Sequence, residues 1–230
     1  MAQEIVMGDI EAIHEDGTVT ISAVLPSLDT ACIRKYRKVQ IGFCDGRRIS
    51  PEQRAKSYAL IGEIADWVGD HKSSVKETMK WEFMVSRMDV MRKQVFSLSD
   101  VDMNTASEFI SFLIDFMLEH GIASRIPLAD MAEDVKRYSW SCLMHKRCAC
   151  CGKPAELHHL EGSRVGMGSD RHEVPHIGRL ALALCREHHT IIHSMSEWKF
   201  LHDNHLVGVE IDEHIAKKYK LKGKPKDGND

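Results

Sequence analysis

The chain has 230 residues, of which 43% are hydrophobic, so it can form one large domain or two small ones. Its net charge of −3 excludes the global basic field that announces many nucleic-acid-binding proteins. The charge is unevenly distributed, because residues 141–230 hold 14 Lys and Arg against 12 Asp and Glu, whereas the residues before them hold 17 against 22. Basic character is therefore concentrated toward the C-terminal end.

The sequence argues against a secreted or membrane protein. No apolar run reaches the ~18 residues that a transmembrane helix needs, and residues 1–17 are acidic and interrupted by polar side chains, unlike a signal peptide. Four of the seven cysteines fall between Cys142 and Cys151, which favours metal binding in a reducing compartment over a disulfide framework. We therefore expect a cytoplasmic protein with no membrane partner.

Short strands are predicted first along the chain. Residues 4–25 contain alternating runs separated by a hairpin turn at Glu15-Asp16-Gly17. Residues 39–43 are a third strand candidate. After these residues the apolar spacing changes to that of helices.

The first helix is predicted to begin at Ser50. Ser50 can act as the cap, Pro51 suits the first helical position and Gln53 completes a capping box. Further helices are predicted over 73–86, 104–120 and 127–144, with Gly121 ending the second of these.

The composition changes near residue 141, beyond which His, Cys and Gly become frequent. We expect an α+β fold with an N-terminal strand-plus-helices domain over residues 1–140. A small metal-binding module is expected over 141–221. The last nine residues, 222–230, lack apolar side chains and are expected to be a disordered tail.

Two ligand pairs in this module have the spacing of a zinc site. Cys148 and Cys151 form a C-x-x-C half-site, and Cys185 and His188 form a C-x-x-H half-site after 33 intervening residues. Together they provide the four nitrogen and sulfur ligands of a tetrahedral structural zinc. The alternative is a set of ordinary buried thiols. Cys150 is interpreted as a spare structural thiol.

A second group of histidines is interleaved with these pairs. His158 and His159 are adjacent, so on a strand they point to opposite faces. His189 and His193 are four apart and can share one ion on a helix face. His188 is rotated from His189 by about 100° and therefore belongs with the zinc ligands. Any one of these histidines could be an ordinary surface or core residue, so the indication comes from the combined pattern.

The order C-x-x-C, His-His, C-x-x-H-H-x-x-x-H resembles the HNH (ββα-metal) nuclease family, especially the versions carried by phages. The resemblance extends over roughly Lys146 to His205. It implies a small zinc-stapled ββα-metal module with His159 as the general base, and a divalent catalytic ion, Mg²⁺ or Mn²⁺, although imidazole ligands also suit Zn²⁺ or Ni²⁺. The ligands that it implies for the catalytic ion are His158, His189 and His193, and those for the structural Zn²⁺ are Cys148, Cys151, Cys185 and His188.

One position of the family pattern has no match. The family carries a middle Asn that orients the base, but no Asn lies between Cys151 and Cys185. His176 or a backbone carbonyl is the expected substitute. His172 and His176 are four apart, but Pro175 between them favours a loop over a helix.

Two sets of arginines are candidate DNA contacts. The first set lies near the histidines, and ordinary solvated arginines are an equally good interpretation; it comprises Arg164, Arg171 and Arg179. The second lies in the most basic stretch, between Arg34 and Lys56, where charges that protect a strand edge are the alternative; it comprises Arg47, Arg48 and Arg54.

The N-terminal half has a second resemblance. The stretch Gly46-Arg47-Arg48-Ile49-Ser50-Pro51-Glu52-Gln53-Arg54-Ala55-Lys56, and the layout from Phe96-Ser97-Leu98-Ser99 to Gly121-Ile122, resemble the phage recombination protein Orf (NinB) over about 40–125. The resemblance implies binding of single-stranded DNA, a role in recombination and a homodimer.

The sequence therefore predicts a phage or prophage DNA endonuclease that hydrolyses phosphodiester bonds in the cytoplasm of a bacterial host cell. We expect it to act on recombination or replication intermediates, with single-stranded or branched DNA as partner. The alternative is a non-catalytic, zinc-stabilised mediator that binds single-stranded DNA, which the missing Asn favours. A zinc-dependent hydrolase of another substrate is third, because the H-E-x-x-H pattern is missing.

Overall fold

A computed structural model describes residues 8–25, 27–35, 46–87, 96–160 and 176–221. The strand predicted over 39–43 and the tail predicted over 222–230 lie outside these residues. Helices and strands are numbered below in chain order.

The N-terminal strands form a two-stranded antiparallel sheet, as predicted. Strand β1 (Gly8–Ile13) pairs with β2 (Val19–Ala23). In the turn between them, the Asp16 carboxylate accepts hydrogen bonds from the backbone N–H and the hydroxyl of Thr18, which lower the pKa of Asp16. A short helix that the sequence pattern did not predict, α1 (Leu28–Arg34), follows. None of the side chains described between residues 8 and 35 is buried.

The next helix, α2 (Pro51–Val68), begins where the capping box was predicted. The Ser50 hydroxyl accepts from the Gln53 N–H at 3.0 Å, and the Gln53 side-chain oxygen accepts from the Ser50 N–H at 3.1 Å. Two further helices follow, α3 (Lys72–Ser86) and α4 (Met103–His120). No helix among the described residues is both long and apolar enough to span a membrane.

The core of this region is the seam between α2 and α4. Leu60 and Ile64 on α2 and Leu113 on α4 are fully buried. Phe109 is also fully buried and meets the rings of Phe83 and Phe96 edge-on at centroid distances of 5.3 and 5.2 Å. Each such side chain contributes about 1.5–3 kcal/mol when it is fully removed from water.

The prediction of one continuous helix over 127–144 is wrong. The chain forms α5 (Leu128–Met131), an extended connection, and then α6 (Val135–His145). Asp134 causes the restart because its carboxylate accepts from the Arg137 N–H at 2.9 Å as an N-cap. Glu133 in the connection binds the side chains of Gln53 and Lys56 on α2, which draws this segment toward that helix.

The C-terminal part contains a three-stranded antiparallel sheet in the order β3 (Glu156–His159), β4 (Leu180–Leu184), β5 (Val209–Glu210). Ala181 to Leu184 are all buried, which is typical of a strand covered on both faces. The helices of this part are α7 (Arg186–Ser194), α8 (Glu197–Asp203) and α9 (Glu213–Lys218).

The α+β class predicted from the sequence is confirmed by these elements. The domain boundary expected near residue 141 falls inside α6, which packs against both α4 and β4. Buried side chains from Ile49 to Ala216 form one continuous cluster. The division into an N-terminal domain and a metal-binding module remains a proposal.

Two glycines provide a matched test of these helices. Gly121 ends α4 with φ at 65°, where a Cβ is strained, so Gly121→Ala should lower the free energy of unfolding by about 1–2 kcal/mol. Gly62 lies inside α2, and an added Cβ would approach only the flexible end of Lys72, at 3.4 Å. Gly62→Ala should therefore raise that free energy by about 0.5–1 kcal/mol. Urea titration measures the free energy of unfolding of both variants. Changes of the same sign would contradict the roles given to Gly121 at the helix end and to Gly62 in the helix interior.

Candidate metal centres

The first cluster of metal-ligating side chains joins the turn after α6 to the start of α7. In that turn the Gly152 N–H donates to the Cys148 carbonyl at 2.8 Å, and Gly152 has the positive φ of 68° that lets the chain curl back. Cys185 is the cap of α7, and His188 lies in its first turn. Cys148, Cys151, Cys185 and His188 thereby come together.

The separations between these ligands fit a tetrahedral zinc ion. His188 Nδ1 lies 3.6 Å from the sulfurs of Cys148 and Cys151 and 3.2 Å from that of Cys185. The Cys151 and Cys185 sulfurs are 3.8 Å apart. Zn–S bonds of about 2.3 Å and Zn–N bonds of about 2.0–2.1 Å at tetrahedral angles place neighbouring ligands about 3.6 Å apart for S and N and about 3.8 Å apart for two sulfurs. The donor set therefore fits Zn²⁺.

The spare thiol contributes to the electrostatics of this cluster. A hydrogen bond from the Cys150 thiol is the largest effect on Cys148, and it lowers the pKa of Cys148. Burial raises the pKa of Cys151. Each further thiolate in so small a volume repels the first unless a cation lies between them, so the arrangement favours a divalent ion over bare thiolates.

The second cluster consists of three imidazoles. His158 is buried on β3. On α7, His189 is half-buried and His193 is exposed. The Nε2 atoms of His189 and His193 are 3.3 Å apart, and the His158 ring centroid lies 4.7 and 5.0 Å from their rings. One ligand atom from each lies within 4.8 Å of the others. Three imidazoles this close can hold one divalent ion and leave other coordination positions to water or substrate.

The neighbour of His158 takes a different partner. His159 Nε2 lies 3.0 Å from Nδ1 of His176, which precedes β4 and is only 2% exposed. Because successive residues of a strand face opposite ways, His158 joins the cation cluster while His159 pairs elsewhere. The structure therefore places His176 within hydrogen-bonding distance of His159.

Comparison with known proteins identifies the family. Residues 29–222, more than four-fifths of the chain, match the family described as "Putative HNHc nuclease". The chain belongs to this family. The chain has no significant match among curated proteins or among solved structures. Both metal-ligand clusters and the His159–His176 pair lie within the matched residues.

Of the arginines expected near the histidines, Arg164 and Arg171 lie outside the described residues. Arg179 is half-buried, and its backbone N–H donates to the His176 carbonyl at 3.1 Å. It therefore lies on the loop that carries the partner of His159.

The upstream arginines have contacts within the chain. The guanidinium of Arg48 donates to the Asp100 carbonyl, and that of Arg54 donates to the Ser99 carbonyl at 2.7 Å. Arg47 is exposed, and its backbone carbonyl accepts from the Met103 N–H. Arg48 and Arg54 thus tie the start of α2 to the segment before α4.

Residues 148–154, which carry Cys148 and Cys151 and are called the zinc turn below, have one supporting residue that was not identified from the sequence. The Tyr138 hydroxyl, buried on α6, donates to the Ala149 carbonyl at 2.7 Å, and the Ala149 N–H donates to the Ala183 carbonyl on β4 at 2.9 Å. Burial raises the pKa of Tyr138, so the hydroxyl stays protonated as a donor. An aromatic residue on an amphipathic helix carries no sequence signal for such a contact.

Replacing Cys148 by Ser should abolish zinc binding and disrupt much of the fold around the zinc turn. A structural zinc contributes on the order of 10 kcal/mol to the folding of small domains, so we expect a large fall in thermal stability. Cys150→Ser keeps a hydroxyl that can donate to Cys148, so it should retain both zinc and stability. Elemental analysis and thermal unfolding measure the two variants.

The same measurement separates the two centres. His189→Ala combined with His193→Ala should keep one zinc per chain and lose a second, exchangeable ion. Loss of all metal from that double variant would contradict two independent sites. An unchanged melting profile in Cys148→Ser would contradict the structural zinc.

Proposed function

We propose that the chain is a metal-dependent DNA endonuclease that hydrolyses phosphodiester bonds, with β3, β4 and α7 as an HNH-type ββα-metal module. The observation that carries the proposal is the convergence of His158, His189 and His193 within 4.8 Å. The neighbouring side chain on β3, His159, has a separate hydrogen-bonding partner. A cation cluster beside an oriented imidazole is what metal-assisted hydrolysis of a phosphodiester needs.

In this proposal each histidine has one role. His158, His189 and His193 hold the catalytic ion. When bound, that ion stabilises the negative charge that develops on the phosphate and on the leaving oxygen. Mg²⁺ or Mn²⁺ remain the proposed ions, and because imidazole suits transition metals better than Mg²⁺, the ligand set favours Mn²⁺ of the two. Cys148, Cys151, Cys185 and His188 hold the structural Zn²⁺.

His159 is the proposed general base, and His176 selects its tautomer. When His159 Nε2–H donates to His176 Nδ1, His159 Nδ1 carries the lone pair that takes the proton of the attacking water. The reverse direction would leave His159 Nδ1 protonated and unable to accept. The required form of His176 is the Nε2–H tautomer, so His176 orients the base through its acceptor atom, as a carboxylate does in other histidine-dependent enzymes.

The biological setting is proposed from the two sequence resemblances. They support a phage or prophage protein in the cytoplasm of a bacterial host, acting on recombination or replication intermediates, with an Orf-like N-terminal region and a homodimeric state. DNA contacts are proposed for Arg179, Arg164 and Arg171 near the base, and for Arg47, Arg48 and Arg54 upstream. To contact DNA, Arg48 and Arg54 would have to exchange their backbone carbonyl partners for phosphates.

The alternative proposal is a non-catalytic, zinc-stabilised mediator that binds single-stranded DNA. It shares the structural zinc and the DNA partner but needs no second ion. The close approach of His189 and His193, at 3.3 Å between Nε2 atoms, favours the nuclease, because two imidazoles gain little from that proximity without a cation or a shared proton.

Cleavage should depend on His159 and on an added divalent ion. His159→Ala should lower the rate of plasmid nicking by about 10²–10⁴-fold, the usual contribution of a general base, and leave metal content and DNA affinity unchanged. His214→Ala, an exposed histidine on α9, is the control and should cut normally. Nicking is followed with chelator and after Mn²⁺ or Mg²⁺ is restored to zinc-loaded protein.

Three results of that assay would overturn the proposal. Full activity in His159→Ala would remove this residue from the mechanism. Nicking activity in the presence of chelator would show that cleavage needs no divalent ion. DNA binding without any nicking under every ion would favour the mediator.

We expect His176 to orient His159 through its acceptor atom, Nδ1, and not through the volume of its side chain. His176→Ala should lower kcat by about 10–100-fold with little change in KM or metal content. His176→Asn should recover most of kcat, because Asn Oδ1 lies at nearly the same place along the side chain as His Nδ1 and also accepts from His159 Nε2–H. Steady-state kinetics on an oligonucleotide substrate measure both variants. Equal losses in the Ala and Asn variants would contradict the orienting role.

A further inference from the structure

A groove of about 460 Å³ lies between the loop that follows α4 and the zinc turn. Ile122, Ile126 and Pro127 line it from the loop, and Cys150 to Pro154 line it from the zinc turn. Its walls are mostly apolar, and all of its lining residues lie within the described part of the chain. Neither of the two histidine groups lines it, so the groove is a feature separate from the candidate catalytic centre.

The charged side chains that line the groove are all cationic. They are Arg125, Arg147 and Lys153, and no Asp or Glu is among the described lining residues. Arg147 is fixed in place because its Nε–H donates to the Leu118 carbonyl at the end of α4, at 3.1 Å. An apolar groove bordered by three cations is complementary to a polyanion that also has flat apolar faces.

The two outer cations are free to change partners. Arg125 pairs with Asp66 at 2.8 Å and Lys153 with Glu187 at 3.4 Å, and both cations are well exposed, with 80% and 65% of their side-chain surfaces accessible. Exposed pairs of this kind contribute little to stability and are easily exchanged for another anion. A phosphate in the groove can therefore recruit both cations without disturbing the core.

We infer that this groove binds an unpaired strand of the nucleic acid, with phosphates at Arg125, Arg147 and Lys153 and a base against the apolar wall. The inference rests on the proposed nuclease function for its choice of polyanion. A pocket of this volume accommodates a ligand of about one or two nucleotides. A duplex keeps its base faces stacked inside the helix and offers only phosphates, so the apolar wall favours a single strand.

The groove and the candidate catalytic centre share one rigid support. The zinc turn provides one wall of the groove and also two of the zinc ligands, Cys148 and Cys151. The other two zinc ligands belong to the start of α7, which carries His189 and His193. A strand held in the groove is thus held relative to the helix of the candidate cation site, and the substrate class favoured is DNA with an unpaired segment.

Fluorescence anisotropy with a labelled oligo-dT and a blunt-ended duplex of equal strand length tests the inference. The protein is zinc-loaded and carries His159→Ala, which prevents cleavage. Arg125→Gln with Lys153→Gln should weaken oligo-dT binding about tenfold and reduce the slope of log affinity against log salt by about 1.4, because each phosphate contact with a single strand contributes about 0.7. Arg147 is left intact because it also holds the end of α4.

A second variant tests the apolar wall with a matched control. Ile126 is 47% exposed in the groove, and Val207, outside it, is 44% exposed. Ile126→Glu should weaken oligo-dT binding, whereas Val207→Glu should not. Lys72→Gln with Lys199→Gln, which removes two exposed charges elsewhere, is the control for net charge and should change the salt slope by much less.

The outcomes distinguish this inference from the proposed function. If the parent protein binds oligo-dT and the groove variants bind it equally well, the groove is not the strand site, and the nuclease proposal stands. If duplex binding falls as much as oligo-dT binding, the choice of an unpaired strand is wrong. If the parent protein binds neither DNA, both proposals fail together.

Discussion

Both candidate metal centres depend on the junction at which β4 ends and α7 begins. Cys185 lies at that junction and His188 follows in the first turn, where both face the cysteines of the zinc turn. One residue further along, the helical rotation of about 100° turns His189 toward β3. The helix can therefore serve two groups of ligands only while its start is fixed against the sheet, and a structural zinc at Cys185 and His188 would fix it there.

The register between β3 and β4 is the second constraint. His158 is opposite Leu182 and His159 is opposite Ala181 in the antiparallel pairing. A shift by one residue would exchange the faces of the two imidazoles and put the wrong ring toward α7. The fully buried run from Ala181 to Leu184 prevents such a shift, because β4 has covered residues on both faces. The packing of the apolar strand β4 thus fixes which way His158 and His159 face.

The helices before the zinc turn contribute to the centre as well as to the core. α6 leads directly into the turn, and its Tyr138 hydroxyl holds the Ala149 carbonyl. α6 in turn contacts α4, where His145 pairs with Asp115 at 3.1 Å. The family match over residues 29–222 includes all of these helices and leaves the β1–β2 hairpin outside it. The helical region and the metal-ligand module share buried side chains, and α6 contacts both α4 and β4.

The sequence by itself determined the features that depend on local spacing. The capping box at Ser50, the hairpin turn around Asp16 and the end of α4 at Gly121 follow from residue type and period, because each involves neighbours along the chain. The short spacings within each ligand pair were also readable from the sequence, and the structure brings the pairs together. The family could also be inferred from the sequence, since the order of its Cys and His ligands is visible there. The sequence failed at the connection around Asp134, where a cap and the contacts of Glu133 with α2 outweigh helix propensity.

Only the tertiary structure decided the contacts between distant segments. The pairing of His159 with His176, the support of the zinc turn by Tyr138 and the groove lined by Arg125, Arg147 and Lys153 each join parts of the chain that no period connects. Such contacts are set by how a sheet and several helices pack around a shared core, and that packing is a property of the whole chain. A short motif specifies which atoms can bind a metal, whereas the fold specifies which atoms lie beside it.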